Sequence, residues 1–347
     1  MNEPTATGPA IVLAGSVGSS LRTLNGLLRN RMRVVGVLGL APAKAANVSG
    51  YARLKDMARK AGIPYADFED INRPETVARV RKWAPDVLFV VGLSQLVKPD
   101  LLAVPRLGCV GYHPTRLPEG RGRAPLAWLT LQARSGASTF YQMDESADSG
   151  PILAQQPFIV KGSDYAADVV RKLEDAIDIA LDRWLPCLRA GKWNPRPQNH
   201  SRATYYGKRA PEDGVIHWSQ SARKILALVR ATSRPHPGAY TTLGERKLTI
   251  WRAEIEYKLR YTGVTGRILL IDEKRGALVQ TGDGLLWLTE TEWEATAKGG
   301  KPAALKVGLK LGSDPAEEIR LLRKRITELE GKLAEVRPRS APKRKKT

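Results

Sequence analysis

Four histidines occur in the chain, and only His113 stands in a context built for chemistry. It follows the short apolar run Cys109–Val110 and opens a stretch dense in glycine and proline, Gly111-Tyr-His-Pro-Thr-Arg-Leu-Pro-Glu-Gly-Arg-Gly-Arg-Ala-Pro125. Such composition makes a rigid, shaped loop rather than the interior of an element. Some thirty residues on, the stretch Met143-Asp-Glu-Ser-Ala-Asp148-Ser-Gly-Pro-Ile-Leu153 places three carboxylates in a second loop, after the apolar run Thr139–Tyr141. A carboxylate delivered to an imidazole sets its tautomer and stabilises its charged form, which is what general acid–base work requires. Each loop alone has an ordinary reading, a hydrogen-bonded structural histidine and a solvated acidic turn.

Other chemistries lack their signatures. The Gly15-Ser-Val-Gly18 turn is neither a dinucleotide fingerprint nor a phosphate loop. No His-Glu-x-x-His or Cys-x-x-Cys pattern occurs, and Cys109 and Cys187 have no ligand spacing, so no metal is expected. Acid–base chemistry without a metal is the reading left.

The elements that must carry these loops alternate. Ala10–Ala14 reads as a strand, followed by a helix with Leu21, Leu24 and Leu28 at helical spacing. Val34–Leu38 is a second strand, and a second helix is expected around Tyr51–Ala61, closed by Gly62 and Pro64. A third helix over Pro74–Trp83 leads into the buried strand Asp86–Val91. Alternation of this kind builds a parallel sheet covered on both faces, with ligands beyond the carboxyl ends of its strands. Trp193–Thr204 reads as a linker. Beyond it a helix over Ser219–Thr232 precedes short runs at Leu248–Trp251, Arg267–Ile271, Ala277–Gln280 and Leu285–Thr289, the pattern of a small β-barrel. From Ala316 a helix carries Ile319, Leu322, Ile326, Leu329, Leu333 and Val336 at alternating spacings of 3 and 4, a heptad stripe that fits a second copy of the chain or the chain's own body.

With 347 residues, 42% of them hydrophobic, the chain is long enough for two domains and an appendage. No apolar run reaches the roughly 18–20 residues of a membrane helix, and no signal peptide opens the sequence, so no membrane insertion and a reducing, cytoplasmic setting are expected. A net charge of +21 points to an anionic partner. Residues 337–347 hold six basic and no acidic residues, which leaves +15 on the rest.

Taken in order, the two loops resemble the formyltransferases that use 10-formyltetrahydrofolate, whose members share Asn-x-His-(Pro/Gly)-x-x-Leu-Pro-x-x-Arg-Gly-x-x-Pro and Met-Asp-x-x-x-Asp-x-Gly-x-Ile-Leu. His113, Pro114, Leu117, Pro118, Arg121, Gly122 and Pro125 match the first, and Met143, Asp144, Asp148, Gly150, Ile152 and Leu153 the second. The resemblance extends through Ala203–Tyr205, Ile216–Trp218, Val229–Ala231, His236–Ala239 and Val279–Gly284. It implies a Rossmann-like, mostly parallel α/β catalytic domain over 1–195 and an open-barrel, OB-like β domain over 196–312. A helix or coiled coil over 313–336 and a disordered basic tail over 337–347 lie outside the shared pattern.

The same resemblance implies transfer of a formyl group from 10-formyltetrahydrofolate, as co-substrate, to a primary amine. His113 would handle the amine's proton and Asp148 would orient and charge the imidazole. Phe89, Val91, Gly92, Leu93, Leu117, Pro118, Asp144 and Ala147 would line the folate slot, and Arg121, Gly122, Arg123 and Pro125 the substrate loop. One position departs. The family's oxyanion asparagine is Gly111 here, and loss of one such donor costs on the order of 10²–10³ in rate. A backbone N–H, Gln95, Ser94 or Thr115 would have to substitute; otherwise the enzyme is slow, or the fold serves as a non-catalytic scaffold.

For the acceptor, members acting on methionyl-tRNA carry a basic insertion after the second strand. Here Leu40–Tyr51 has one lysine and no arginine. The Gly207–Gly214 segment and the Gly92–Gln95 turn look more like members acting on nucleotide-linked amino sugars, the expected substrate. The charge of +21 favours tRNA, the alternative.

Overall fold

The computed structural model describes residues 7–46, 48–244, 246–295, 304–312 and 315–336. The basic tail over 337–347 and the start of the chain through residue 6 lie outside these residues. The chain begins with β1 (Thr7–Gly15), α1 (Gly18–Arg29), β2 (Met32–Leu40), α2 (Lys55–Lys60), β3 (Tyr65–Phe68), α3 (Pro74–Trp83) and β4 (Val87–Val91). It continues through α4 (Pro99–Leu102), β5 (Gly108–His113), β6 (Arg121–Gly122), α5 (Pro125–Gln132), β7 (Gly136–Gln142), β8 (Ile152–Phe158) and the long α6 (Ala166–Arg189). After β9 (Tyr205–Tyr206) come α7 (Ala222–Thr232), β10 (Ala239–Leu243), β11 (Arg246–Glu256), β12 (Ile268–Asp272), β13 (Gly276–Gln280), β14 (Leu285–Trp293) and α8 (Pro315–Val336).

Seven strands form one sheet in the order β3-β2-β1-β4-β5-β7-β8. The first five run parallel; β7 and β8 are antiparallel to their neighbours. Successive side chains of a strand point to opposite faces, and both faces here are apolar. Ile11 and Leu13 of β1, with Val87, Phe89 and Val91 of β4, join one core beneath α1 and α6. Val12, Ala14, Leu88 and Val90 join the other, beneath α3. In α6, Leu173, Ile177, Leu181, Trp184 and Leu188 recur at helical spacing along its buried face.

The strands expected at Ala10–Ala14, Val34–Leu38 and Asp86–Val91 are present, and α3 has the predicted bounds. The second helix is shorter than expected and starts at Lys55. Tyr51 gives its hydroxyl hydrogen to the Leu40 carbonyl at 2.9 Å and Ala52 donates its N–H to the Ser16 carbonyl at 2.9 Å, so this stretch is tied to the carboxyl ends of β2 and β1 before a helix can form. The Trp193–Thr204 segment is no free linker. Arg196 exchanges two backbone hydrogen bonds with Ile152, at 2.7 and 2.8 Å, and Gln198 is buried.

The second sheet is antiparallel, in the order β10-β11-β14-β13-β12. Its inner face, with Leu248, Ile250, Val279, Leu286 and Leu288, packs on Ile225, Leu226 and Val229 of α7. Ser221 caps α7 by accepting from the Lys224 N–H. Glu256, at the end of β11, accepts from Trp287 Nε1 at 2.7 Å, Lys258 N at 2.6 Å and Arg275 Nη1 at 2.6 Å. These donors hold its carboxyl down to about 2. On α8, Ile319, Leu322, Ile326, Leu329 and Leu333 are each at least half exposed. No helix among the described residues is long and apolar enough to cross a membrane.

Candidate active site

His113 is the last residue of β5 rather than part of the following loop. β5 lies between β4, parallel to it, and β7, antiparallel to it, so His113 ends the strand at which the sheet changes direction. Its ring is buried, and Nε2 lies 2.8 Å from the Gly120 carbonyl. A carbonyl only accepts, so the neutral imidazole carries its hydrogen on Nε2 and its lone pair on Nδ1. Nδ1 faces Asp148 Oδ2 at 3.5 Å. The ring is therefore oriented by Gly120, and the carboxylate supplies charge beside the basic nitrogen.

Asp148 stands in the left-handed backbone region, φ 56°, where aspartate needs local support. Support comes from three elements. Oδ2 accepts the Gly122 N–H of β6 at 2.9 Å, and Oδ1 accepts the Tyr141 hydroxyl of β7 at 2.8 Å. The backbone carbonyl of Asp148 accepts Gln198 Nε2 at 2.9 Å, and Gln198 Oε1 in turn accepts Arg121 Nη2 at 2.8 Å. Gly150 cannot take a Cβ, which would collide with the Gln142 carbonyl.

The remaining site candidates divide. Leu117 is buried with Tyr141 and Ile152, and Pro118 follows it. Gly122 reaches Asp148, and the buried Arg121 guanidinium binds Gln198, His200 and Tyr205. Arg123 is exposed and donates its backbone N–H to Tyr206, while Pro125 starts α5. Asp144 and Ala147 are exposed on the second loop, where Asp144 Oδ1 accepts from Ser146 and Ser149. Phe89 and Val91 bury their side chains in the core beneath α6, so only their main chain is open to a ligand. Gly92 lies under Val17 and gives its carbonyl to Ser16 Oγ, and Leu93 packs on the second core.

Of the substitutes for the missing asparagine, Gln95 accepts from the Ile71 N–H and donates one amide hydrogen to the Glu69 carbonyl. Ser94 is exposed. Thr115 is buried, and its hydroxyl has no partner among the described residues. Beside the second loop a cavity of about 500 Å³ is lined by Asp144, Ser149, Arg121, Gln198, His200 and Tyr205. The Phe89–Leu93 turn is not among its walls. Sequence reading passed over Gly120, Tyr141 and Gln198; their roles depend on strand register and on a segment read as linker.

Burial pushes the His113 imidazolium below its ordinary range, and the Asp148 charge and the Gly120 carbonyl act against this. An unfolded histidine takes its proton near pH 6.5, whereas folded His113 resists. Stability should thus fall as pH drops below about 6.5 and level off once the folded group titrates. His236 is depressed in the same direction by burial. His113→Gln is therefore expected to reduce, not abolish, the loss of denaturant stability between pH 7.5 and 5.

Two family models match this chain. The one described as "Formyl transferase" covers residues 13–184, and "Formyl transferase, C-terminal domain" covers 208–302. Among solved structures, HypX from Aquifex aeolicus in complex with tetrahydrofolic acid is similar at 18% identity and TM-score 0.61, over 82% of this chain and 44% of that one. The chain thus spans less than half the length of HypX. An N-formyltransferase from Helicobacter canadensis, in complex with folinic acid and dTDP-3-aminofucose, matches at 15% identity and TM-score 0.57, over 80% of this chain and 98% of that one. The methionyl-tRNA formyltransferase from Clostridium thermocellum matches at 18% identity and TM-score 0.50, over 71% and 93%. At these identities the likeness is one of fold.

Proposed function

Because the chain belongs to the formyl transferase family, we propose that it moves a formyl group from 10-formyltetrahydrofolate to a primary amine, with His113 and Asp148 as the proton-handling pair. The observation that carries this reading is a buried imidazole whose free lone pair on Nδ1 faces a carboxylate at 3.5 Å. The amine nitrogen forms a bond to the formyl carbon, and the bond from that carbon to N10 of the folate breaks. The proton shed by the amine is taken up at Nδ1, where the Asp148 charge stabilises the imidazolium, and returns to N10 as tetrahydrofolate leaves. Solved neighbours that hold tetrahydrofolic or folinic acid support the donor.

The folate is assigned to the main chain of Phe89–Leu93, Leu117, Pro118 and the Asp144–Asp148 loop, and the acceptor to the Arg121–Pro125 side. The division into a catalytic half to residue 195, an OB-like barrel over 196–312 and the helix beyond is our reading of the two sheets. The exposed stripe on α8, with isoleucine at 319 and 326 and leucine at 322 and 329, supports a second copy of the chain as its partner.

For the acceptor, the sparse charge of Leu40–Tyr51 supports a nucleotide-linked amino sugar, as does the dTDP-3-aminofucose held by the Helicobacter neighbour. The net +21 supports methionyl-tRNA as the second reading. Formylation of UDP- and dTDP-amino sugars and of methionyl-tRNA, with tRNA binding followed against salt, separates them. Sugar turnover with tRNA binding that collapses at high salt and yields no formyl-methionyl-tRNA is expected. Formylated tRNA alone would overturn the sugar assignment.

A further inference from the structure

We infer that Tyr141 stands in the space left by the absent side chain at position 111 and is the positioning residue that holds Asp148 beside His113. The inference deepens the formyl-transfer reading, on which it rests for what the pair does, though not for how the pair is held. Gly111 of β5 and Tyr141 of β7 are direct partners across the antiparallel ladder. A Cβ on Gly111 would lie 2.6 Å from Tyr141 Cζ, 2.8 Å from its hydroxyl oxygen and 2.9 Å from Met143 Cγ. A side chain at 111 and the Tyr141 ring therefore exclude each other where they now stand.

The ring is no loose filler. It is buried with Leu117 and Ile152, and its hydroxyl ends 2.8 Å from Asp148 Oδ1. The Gly122 N–H holds the other oxygen, Oδ2, at 2.9 Å. Two donors, one on each oxygen, fix the carboxylate plane so that Oδ2 faces Nδ1 of His113. Burial, followed by the Asp148 charge, raises the phenol well above its ordinary range, so it remains a donor at neutral pH. The Asp148 charge acts on both His113 and Tyr141, and Asp144 acts on Tyr141 as well. A phenol has one hydrogen, and here Asp148 receives it. Tyr141 thus acts through Asp148 and is not an oxyanion donor in this arrangement.

Two measurements on the full-length protein test this, and neither uses turnover. The first is the NMR titration of His113 in histidine-labelled protein, its signal assigned by its absence in His113→Gln. Removing the phenol hydrogen concentrates the Asp148 charge, so Tyr141→Phe should raise the His113 midpoint by at least about half a unit. The second is denaturant unfolding of Gly111→Ala, alone and with Tyr141→Leu. The single variant should lose stability, and the second substitution should restore at least part of the loss by making room. A His113 midpoint unmoved in Tyr141→Phe, or a Gly111→Ala protein as stable as the parent, would overturn the inference. A parent protein that transfers no formyl group defeats the functional reading and still leaves these two results to decide this one.

Discussion

Asp148→Asn is expected to lower formyl transfer by about 10²–10⁴-fold, the range general acid–base catalysis contributes, while the protein stays folded. Asparagine keeps the volume and tolerates the left-handed conformation at φ 56°. Its carbonyl oxygen can still accept the Gly122 N–H, and the Tyr141 hydroxyl can turn to accept from the amide. What disappears is the negative charge 3.5 Å from His113 Nδ1. Of the two groups that favour the protonated imidazole against burial, only the uncharged Gly120 carbonyl remains. The loss should fall on kcat, since the carboxylate's charge matters most when the imidazolium forms. Steady-state kinetics beside a thermal melt checks both halves; a melt shifted as far as an unfolded core would move it contradicts the shape argument.

The largest effect on stability is expected far from that pair. Glu256→Ala removes a buried carboxylate that accepts from Trp287, Lys258 and Arg275. It leaves the Trp287 N–H inside the second sheet without its acceptor. Stranding such donors costs on the order of 3 kcal/mol, a fall of roughly 6–12 °C in the unfolding midpoint. The sign with pH follows from the carboxyl being held at about 2. An unfolded glutamate protonates near pH 4.3, so the contribution is whole above that value and is lost as pH falls toward about 2. Parent and variant stabilities should therefore converge in acid. Tryptophan fluorescence followed from pH 7 to pH 3 reads this, and a constant gap between the two proteins would contradict it.

How much of this was legible in the sequence depends on how local each cause is. The strands β1 and β4 were plain because both faces of the sheet are buried, which makes their residues apolar without alternation. Helix α3 was plain because Pro74 starts it and Trp83 ends its apolar face. The start of α2 was not, since Tyr51 and Ala52 look helical and are claimed by Leu40 and Ser16 through the fold. His113 and Asp148 stood out because their loops carry spaced prolines and glycines around them. Their supports did not: Gly120 offers only a carbonyl, Gln198 sits in a stretch read as linker, and Tyr141 matters because register sets it opposite Gly111. A glycine where a side chain is expected signals that something else fills the volume, but only the paired strand says what.

The role of the His113–Asp148 pair is decided by the transfer of labelled formyl from 10-formyltetrahydrofolate to a pooled set of amines, nucleotide amino sugars and methionyl-tRNA included, by the parent protein, His113→Gln and Asp148→Asn. Labelled formamide product is expected with the parent, and a loss of about 10²-fold or more in both variants. A parent protein that binds the folate and labels none of the amines, or variants that label them as fast as the parent, would contradict that role.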